Sequence, residues 1–435
     1  MAFDGDSRLS RTRATLRRIA LDVSPLRASR DFRLLWFGQL VSNVGTQMRL
    51  VALPYQIYVL TGSPFHVGLL GLFQAIPLIS LPLLGGVLAD RADRRRVLIA
   101  TQSGLALSSL VLALVTQLGS TELWILYALT AISASFSAFD QPARGSLVPT
   151  LVERSELPAA IALNQMLYQT AAVVGPAIGG LVIASFGVAA AYWVDTITFG
   201  AAIAAAVAIK APRQMLAAPQ SIVESLVEGV MYVLRQRLLF STMVLDLAAM
   251  FFGSIRALMP FYAEQVFKVG AAGLGLLFAA PGVGALIAVL TSGWVSRVRR
   301  PGVAVLVAVC VWGIAIAAFG LVTSELFLLG LVLLAIAEAA DVLSAIFRHT
   351  ILQGVVREEL RGRLTAMNGL FVIGGPNLGQ VRAGAVAALA SPPFAVVSGG
   401  LLCVLSAIAV AFWAPELPRY DRTAATLEEV SSELV

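Results

Sequence analysis

The chain has 435 residues, of which 58% are hydrophobic and 13% charged, and its formal net charge is +6. Soluble domains carry about 25% charged residues, so this composition excludes an ordinary soluble protein and indicates a polytopic membrane protein. With two cysteines and two histidines far apart, we expect no disulfide framework, no metal cluster and no cofactor. The basic residues are spread over many short segments, which favours the anionic face of a lipid bilayer over nucleic acid as a partner.

The first 31 residues combine seven arginines with scattered apolar side chains. This pattern is typical of a basic tail, either as a helix that lies on the inner leaflet or as a disordered segment. No short apolar run with a small-residue cleavage site follows, so we expect no cleaved signal peptide. The first apolar segment is therefore predicted to start membrane insertion by itself.

The rest of the chain is dominated by apolar stretches that are long enough to cross a bilayer. A hydrocarbon core needs about 20 apolar residues in helical form. On this basis we predict an all-α membrane protein with an even number of spans and with both ends on the same side. The twelve predicted transmembrane helices are residues 33–60, 65–89, 97–118, 122–140, 157–185, 188–209, 238–266, 271–296, 301–322, 325–348, 363–390 and 394–414.

Positive charge is distributed unevenly across the predicted membrane. Nearly all of the 31 Lys and Arg residues lie in segments on one side, and only Lys268 lies in a segment on the other. Because cytoplasmic loops carry the excess of basic residues, this side is predicted to be the cytoplasm and to hold both termini. We expect the membrane to be a bacterial plasma membrane.

The longest predicted cytoplasmic connection divides the chain into two sets of six spans. Its apolar residues recur at helical spacing, which favours an amphipathic helix in the membrane interface. The predicted organisation is a basic tail (1–31), a six-helix bundle (32–209), this linker (210–237), a second six-helix bundle (238–414) and a cytoplasmic tail (415–435).

A short, highly charged turn joins the second and third predicted spans. Its four arginines fit any cytoplasmic loop, but that simple interpretation does not explain Asp90 at the helix end. The turn resembles the first-loop signature of the major facilitator superfamily of secondary transporters, with Asp93 in place of the second glycine. The matching residues are Gly86, Leu88, Ala89, Asp90, Arg91, Arg94 and Arg95. This resemblance implies two six-helix bundles related by a parallel repeat.

By the same resemblance, the charged turn belongs to a cytoplasmic gate. The carboxylate of Asp90 is expected near the start of the eleventh span, where Arg361, Arg363 and the helix dipole favour negative charge. This contact would hold the inner gate shut while the cavity faces outward, and alternating access requires it to break. The other members of the predicted gate are Gly86, Arg91, Arg94 and Arg95.

The fifth span contains a glycine-proline motif that the eleventh span repeats in part. Proline frees a carbonyl group and small residues let helix backbones approach, so such a segment bends and packs tightly. The motif resembles a fifth-helix signature of superfamily exporters, and the alternative is a small-residue helix interface without directional meaning. Its residues are Gly175, Pro176, Gly179 and Gly180, echoed by Gly375, Pro376 and Gly379.

Seven ionisable side chains lie in the predicted spans away from the span ends, where each costs about 2.5 to 3.5 kcal/mol and usually faces a cavity or a partner. They are Arg49, Asp195, Asp246, Arg256, Glu338, Asp341 and Arg382. The resemblance implies that spans one, four, seven and ten line a central cavity. A structural role is expected for Asp195 on the sixth span. The predicted proton and substrate site consists of Arg49, Asp246, Arg256, Glu338 and Asp341.

Glu338 and Asp341 are three residues apart and therefore share one helical face. Mutual repulsion and burial would favour a proton on one of the two carboxyls, which suits a proton carrier. The alternative is that both are permanent ion-pair partners of Arg49, Arg256 or Arg382. The sequence leaves both interpretations open.

Further stretches narrow the resemblance to one branch of exporters. Residues 139–149, 254–260, 290–293 and 364–370 are similar to the branch that includes the bacterial enterobactin exporter and macrolide efflux proteins. The resemblance implies a proton-driven exporter of an amphipathic small molecule, such as a siderophore or lipophilic drug, that works as a monomer. The alternatives are proton-coupled uptake and a non-transporting receptor. An enzyme is not expected, since the sequence lacks a His or Cys site and a nucleophile elbow.

Overall fold

The computed structural model describes residues 22–89, 93–210, 231–233, 236–355 and 358–421, and for residues 83–89, 358–368 and 370 it describes the backbone alone. Within these ranges twelve long helices account for most of the chain and no strand occurs, which confirms the predicted all-α fold. The helices are α1 (Arg30–Thr61), α2 (Pro64–Ala89), α3 (Arg94–Gln117), α4 (Leu123–Leu151), α5 (Leu157–Phe186), α6 (Val188–Ala208), α7 (Arg237–Gly253), α8 (Gly270–Thr291), α9 (Pro301–Phe319), α10 (Phe327–Val355), α11 (Glu358–Leu389) and α12 (Pro392–Trp413).

Most of these helices have the length and apolar composition of membrane spans. Ten of the helical segments in the described part of the chain are long and apolar enough to cross a bilayer. The other two long helices, α1 and α11, have 32 residues each, which is also more than the roughly 20 that a span needs. The chain is therefore a multi-pass integral membrane protein.

The helix ends follow local sequence signals. Phe32 N–H donates to Ser29 Oγ at 3.1 Å at the start of α1, and Arg95 N–H donates to Asp93 Oδ1 at 3.0 Å at the start of α3. These side chains satisfy N–H groups that have no partner inside the helix. Gly62 ends α1 with φ = 61°, a left-handed conformation that glycine adopts without strain.

Two helices continue beyond their predicted ends. Helix α4 was predicted to end at residue 140 and continues to Leu151, and α10 was predicted to end at 348 and continues to Val355. The apolar pattern stops at Asp140 and Arg348, but both side chains have charged partners inside the bundle. A charged residue that has a partner inside the bundle does not end a helix. The ends of α4 and α10 predicted from hydropathy alone therefore came too early in the chain.

The seventh predicted span is not one continuous helix. Helix α7 ends at Gly253, and a 3₁₀ turn (Arg256–Leu258), a short α-helical turn (Met259–Phe261) and a π turn (Tyr262–Val266) follow. Pro260 lacks the N–H that a continuous helix would use to bond four residues back. The predicted span over 238–266 is confirmed as a segment that can cross a membrane, Arg237–Val266, but it is not one regular α-helix.

The helices pack as two sets of six. In the first set α1 packs on α5 and α6, α3 packs on α4 and α6, and α2 packs on α4. In the second set α9 packs on α10 and α12, α8 packs on α10, and α7 packs on α11 and α12. The two sets, called the first and second halves below, meet mainly where α2 packs on α11 and α5 packs on α8.

Glycines allow the halves to approach closely at both of these lines. A Cβ on Gly180 of α5 would lie 2.7 Å from the Cα of Gly275 of α8. A Cβ on Gly68 of α2 would lie 2.6 Å from the carbonyl oxygen of Gln380 and 3.2 Å from the Cα of Gly384, both on α11. Real Cβ atoms do not come so near to backbone, so only glycine fits at these positions.

The contacts between the halves are concentrated towards one end of the bundle. We call the end with the turns at Gly62, Gly187 and Gly270 the outer end and the opposite end the inner end, following the predicted sidedness. The α5–α8 contact begins at the outer end and reaches the middle of the bundle, where a Cβ on Gly282 would lie 3.1 Å from the carbonyl oxygen of Ala172. The halves are thus closed together at the outer end.

Several predicted features lie outside the described residues. They are most of the basic tail (1–21), most of the predicted linker helix (211–230 and 234–235), the end of the chain (422–435) and the two gate residues Asp90 and Arg91. Gly86 lies in α2, where only the backbone is described.

Replacing Gly180 by leucine should destabilise the packing of the two halves, because the new side chain would meet the α8 backbone. We expect a lower thermal unfolding temperature of the purified protein in detergent. Gly200→Leu is the matched control, since nothing lies within 4 Å of a Cβ at that α6 position. Equal unfolding temperatures for the two variants would contradict this packing.

Candidate functional site

The first half contains a buried ion pair between α1 and α6. Arg49 Nε lies 3.4 Å from Asp195 Oδ2, and the Asp195 side chain is fully buried. Ser109 of α3 donates to Asp195 Oδ2 at 2.6 Å, and Arg49 donates to Ser109 at 3.3 Å and to Ser133 of α4 at 3.1 Å. One charge pair with two hydroxyls thus joins four helices of the same half.

This arrangement assigns Arg49 a partner within its own half. The guanidinium of Arg49, predicted to face the cavity, neutralises Asp195, the carboxylate for which a structural role was predicted. Each of these charges alone would cost about 2.5 to 3.5 kcal/mol in a membrane, so the pair compensates for both insertions.

A second ion pair lies between α7 and α10. Arg348 Nη1 lies 2.6 Å from Asp246 Oδ1, and it also donates to Ser344 at 3.3 Å. Arg348 is the last residue of the tenth predicted span and is absent from the predicted site. Arg348 lies seven residues, or two helical turns, after Asp341, so the two residues share one face of α10. This spacing was the signal that could have identified Arg348.

The two remaining predicted carboxyls complete this cluster. Asp341 lies close enough to Arg348, Glu338 and Asp246 for direct electrostatic interaction with all three. Asp246 is buried, whereas Asp341 and Glu338 are partly accessible. This cluster therefore contains three carboxyls and one guanidinium. We call it the C-half cluster, and its residues are Asp246, Glu338, Asp341 and Arg348.

The other two arginines of the spans do not neutralise these carboxyls. Arg382 of α11 donates to the carbonyl oxygen of Phe252 and lies 6.0 Å above its ring, where it compensates the end of α7. Arg256 is exposed in the 3₁₀ turn beside α2 and α11, and no ion pair of the described residues includes it. The interpretation of Glu338 and Asp341 as partners of Arg49, Arg256 or Arg382 is therefore wrong.

The two halves contain related arginines with different partners. Helices α4 and α10 have 29 residues each, and Arg144 and Arg348 occupy the same position along them. Arg144 pairs with Asp140 of its own helix, and Asp140 also accepts from Gln102 at 2.7 Å. Arg348 instead pairs with a carboxylate on another helix. Only this second pair must break if its two helices separate.

The glycine-proline motif of α5 lies between α1 and α8. A Cβ on Gly175 would lie 2.8 Å from the carbonyl oxygen of Val44, and one on Gly179 would lie 2.9 Å from the Cα of Met48, both on α1. The motif thus presents Gly175 and Gly179 to α1 and Gly180 to the other half. The Pro176 carbonyl oxygen lies on the α8 side, where a Cβ on Gly275 would be 2.5 Å away.

The described arginines of the charged turn bind carbonyl groups of the first half. Arg94 donates to the carbonyl oxygen of Ser146 in α4 at 2.8 Å. Arg95 donates to the carbonyl oxygen of Ala206 at 2.8 Å and to that of Val207 at 2.5 Å, at the end of α6. Cations stabilise helix C-termini, so in this conformation both arginines hold helix ends of their own half.

Comparison with known proteins identifies the family. A family model described as transmembrane secretion effector matches residues 20–434. The chain belongs to this family of the major facilitator superfamily. The chain is 28% identical over 409 residues to the enterobactin exporter EntS of Shigella boydii serotype 18, covering 93% of this chain and 96% of that protein. EntS of Escherichia coli O139:H28 matches to the same extent.

Solved structures of transporters share the fold. The nucleoside transporter NupG superposes with a TM-score of 0.70 at 13% identity, covering 89% of this chain and 99% of that one. A bacterial homologue of the lysosomal transporter Spinster has a TM-score of 0.68 at 15% identity, covering 92% and 97%. A bacterial homologue of the iron transporter ferroportin has a TM-score of 0.68 at 16% identity, covering 88% and 98%. The chain is a membrane transporter with this fold.

Asp195→Leu should destabilise the protein strongly, because it leaves Arg49 inside the bundle without its charged partner. Breaking a buried pair on one side costs about 3–5 kcal/mol, whereas replacing both members by apolar residues is often tolerated. Thermal unfolding should therefore show a large loss for Asp195→Leu and a partial recovery for Arg49→Met combined with Asp195→Leu. A double variant that is less stable than the single one would contradict this role.

Proposed function

We propose that this protein is a proton-driven exporter of an amphipathic small molecule across the bacterial plasma membrane, with both termini in the cytoplasm. The C-half cluster carries the proposal. It places three carboxyls and one guanidinium on two helices, α7 and α10, that line the central cavity in the superfamily. A titratable group of this kind inside a membrane is a candidate relay for protons.

The charge balance of the cluster supports proton binding. The Arg348 guanidinium compensates one carboxylate, which leaves two further carboxyls at membrane depth. An uncompensated carboxylate is costly there, so a carboxyl that holds a proton is favoured. Glu338 and Asp341 are partly accessible and are the proposed carriers, whereas Asp246 pairs directly with Arg348.

Alternating access would couple the binding and release of this proton to the transport of substrate. The halves are in contact at the outer end, so an outward-open state requires them to separate there. We propose that protonation of the cluster weakens the Asp246–Arg348 pair and so changes the preference between the two states. The predicted inner gate around Asp90 would form in the outward-open state, when Arg94 and Arg95 have moved with their half.

The relatives suggest the class of substrate. The curated relatives are named enterobactin exporters, and they align over nearly the whole chain. We therefore propose a siderophore or another amphipathic compound of similar size as the exported molecule. We propose a monomer as the functional unit, since one chain contains both halves.

Deletion of the gene should raise the amount of siderophore that cells retain in iron-poor medium. Cell-associated and secreted siderophore would be measured by chromatography in the deletion strain and in the complemented strain, with and without a protonophore. We expect retention in the deletion strain, rescue by the complementing gene and loss of rescue with the protonophore. Unchanged retention, or substrate uptake into right-side-out vesicles, would contradict export.

Glu338→Gln and Asp341→Asn should each abolish substrate-induced proton movement, because an amide cannot release a proton. The measurement is the fluorescence of a pH-sensitive dye inside proteoliposomes after addition of substrate. Glu325→Gln is the control, since Glu325 is an exposed carboxyl at the start of the same helix region. Normal proton movement in both test variants would place the carrier elsewhere.

A further inference from the structure

A recess with a volume of about 570 Å³ lies at the outer end between the two halves. The first half contributes the end of α1 and the start of α2, and the second half contributes the π turn after α7 together with parts of α11 and α12. This volume lies within the range of small-molecule sites, about 300–1,000 Å³. The residues that line it are Tyr58, Val59, Gly62, Pro64, Phe261, Glu264, Gln265, Ala387 and Pro392.

Glu264 is the one carboxyl among the lining residues. Its Oε1 atom is shielded from solvent and accepts no hydrogen bond from the described residues. None of the ion pairs formed in the described part of the chain includes Glu264. A carboxylate that is shielded and has no cationic partner favours the binding of a cation from outside the chain.

The backbone around Glu264 holds this carboxyl in place. Glu264 lies within the π turn Tyr262–Val266, a rare conformation that is frequent at functional sites. The Tyr262 ring lies 4.8 Å from the ring of Phe319, and Phe267 N–H donates to the Tyr262 carbonyl oxygen at 2.8 Å. Tyr262, Phe267 and Phe319 are all buried, so the turn that carries Glu264 is anchored on both sides.

Aromatic residues lie next to the carboxyl. Tyr58 and Phe261 line the recess, Tyr58 is close enough to interact electrostatically with Glu264, and Tyr55 forms a side-chain hydrogen bond with Glu264. Aromatic faces attract ammonium groups, and a carboxylate adds direct charge complementarity. We infer that the outer recess binds an organic cation, either a quaternary ammonium compound or a protonated amine, between Glu264 and these rings.

Calorimetric titration of the full-length protein in lipid nanodiscs tests this site with benzyltrimethylammonium as the probe. We expect saturable binding of the probe that Glu264→Gln weakens about tenfold or more, because the charge-assisted contact is lost. Glu325→Gln should leave the affinity unchanged, since that carboxyl is exposed in the turn before α10. Benzoate and benzyl alcohol, which match the ring but lack the positive charge, should not compete.

A second measurement uses the unchanged protein and does not depend on the folding of a variant. A hydrophobic carbodiimide should modify the Glu264 carboxyl, as detected by peptide mass spectrometry, and benzyltrimethylammonium should protect it. Full affinity in Glu264→Gln, equal competition by benzoate, or no protection of Glu264 would each overturn the inference. Binding is measured without a gradient, so this result is independent of whether the protein exports a siderophore.

Discussion

The structure depends on two narrow lines along which the backbones of the two halves touch. Glycines at α5–α8 and α2–α11 bring helices so close that a single Cβ would meet backbone atoms of the partner helix. Small residues give membrane helices their close contacts, because lipid offers no hydrophobic drive for helix association. Each half otherwise packs on itself. The contact between the halves is therefore small in side-chain volume, which suits a joint that must open and close.

Among the described residues, the buried ion pairs form within each half and not across the contact. Asp195 pairs with Arg49 in the first half, and Asp246 pairs with Arg348 in the second. A relative movement of the halves would leave both pairs intact, so the halves can move as units without exposing an unpaired charge. The second pair nevertheless joins two helices that line the proposed cavity. A change in the protonation of the C-half cluster acts inside the second half. Its effect on the contact between the halves must be transmitted through α7 and α10.

The sequence was sufficient for the fold but not for the pairing of charges. Apolar runs predicted the helices, and the charged turn together with the Gly175-Pro176 motif predicted the family, because these are local signals. Arg348 was not predicted as a site residue because it follows the last apolar residue of its predicted span. The apolar sequence ends there although the helix continues. The partner of Arg49 depends on how α1 and α6 rotate about their axes. The π turn around Glu264 arises from tertiary packing after Pro260, which no local periodicity encodes.

Spin-label distance measurements test the central claim, that the two halves separate at the outer glycine contacts when they come together at the inner end. One pair of labels would be placed at the exposed inner positions Arg154 and Arg300, and a second pair at the exposed outer positions Ser120 and Thr323, with Cys310 and Cys403 replaced by alanine. When substrate is added and the pH is lowered, the inner distance should shorten while the outer distance lengthens. Distances that stay constant, or that change in the same direction at both ends, would contradict the account.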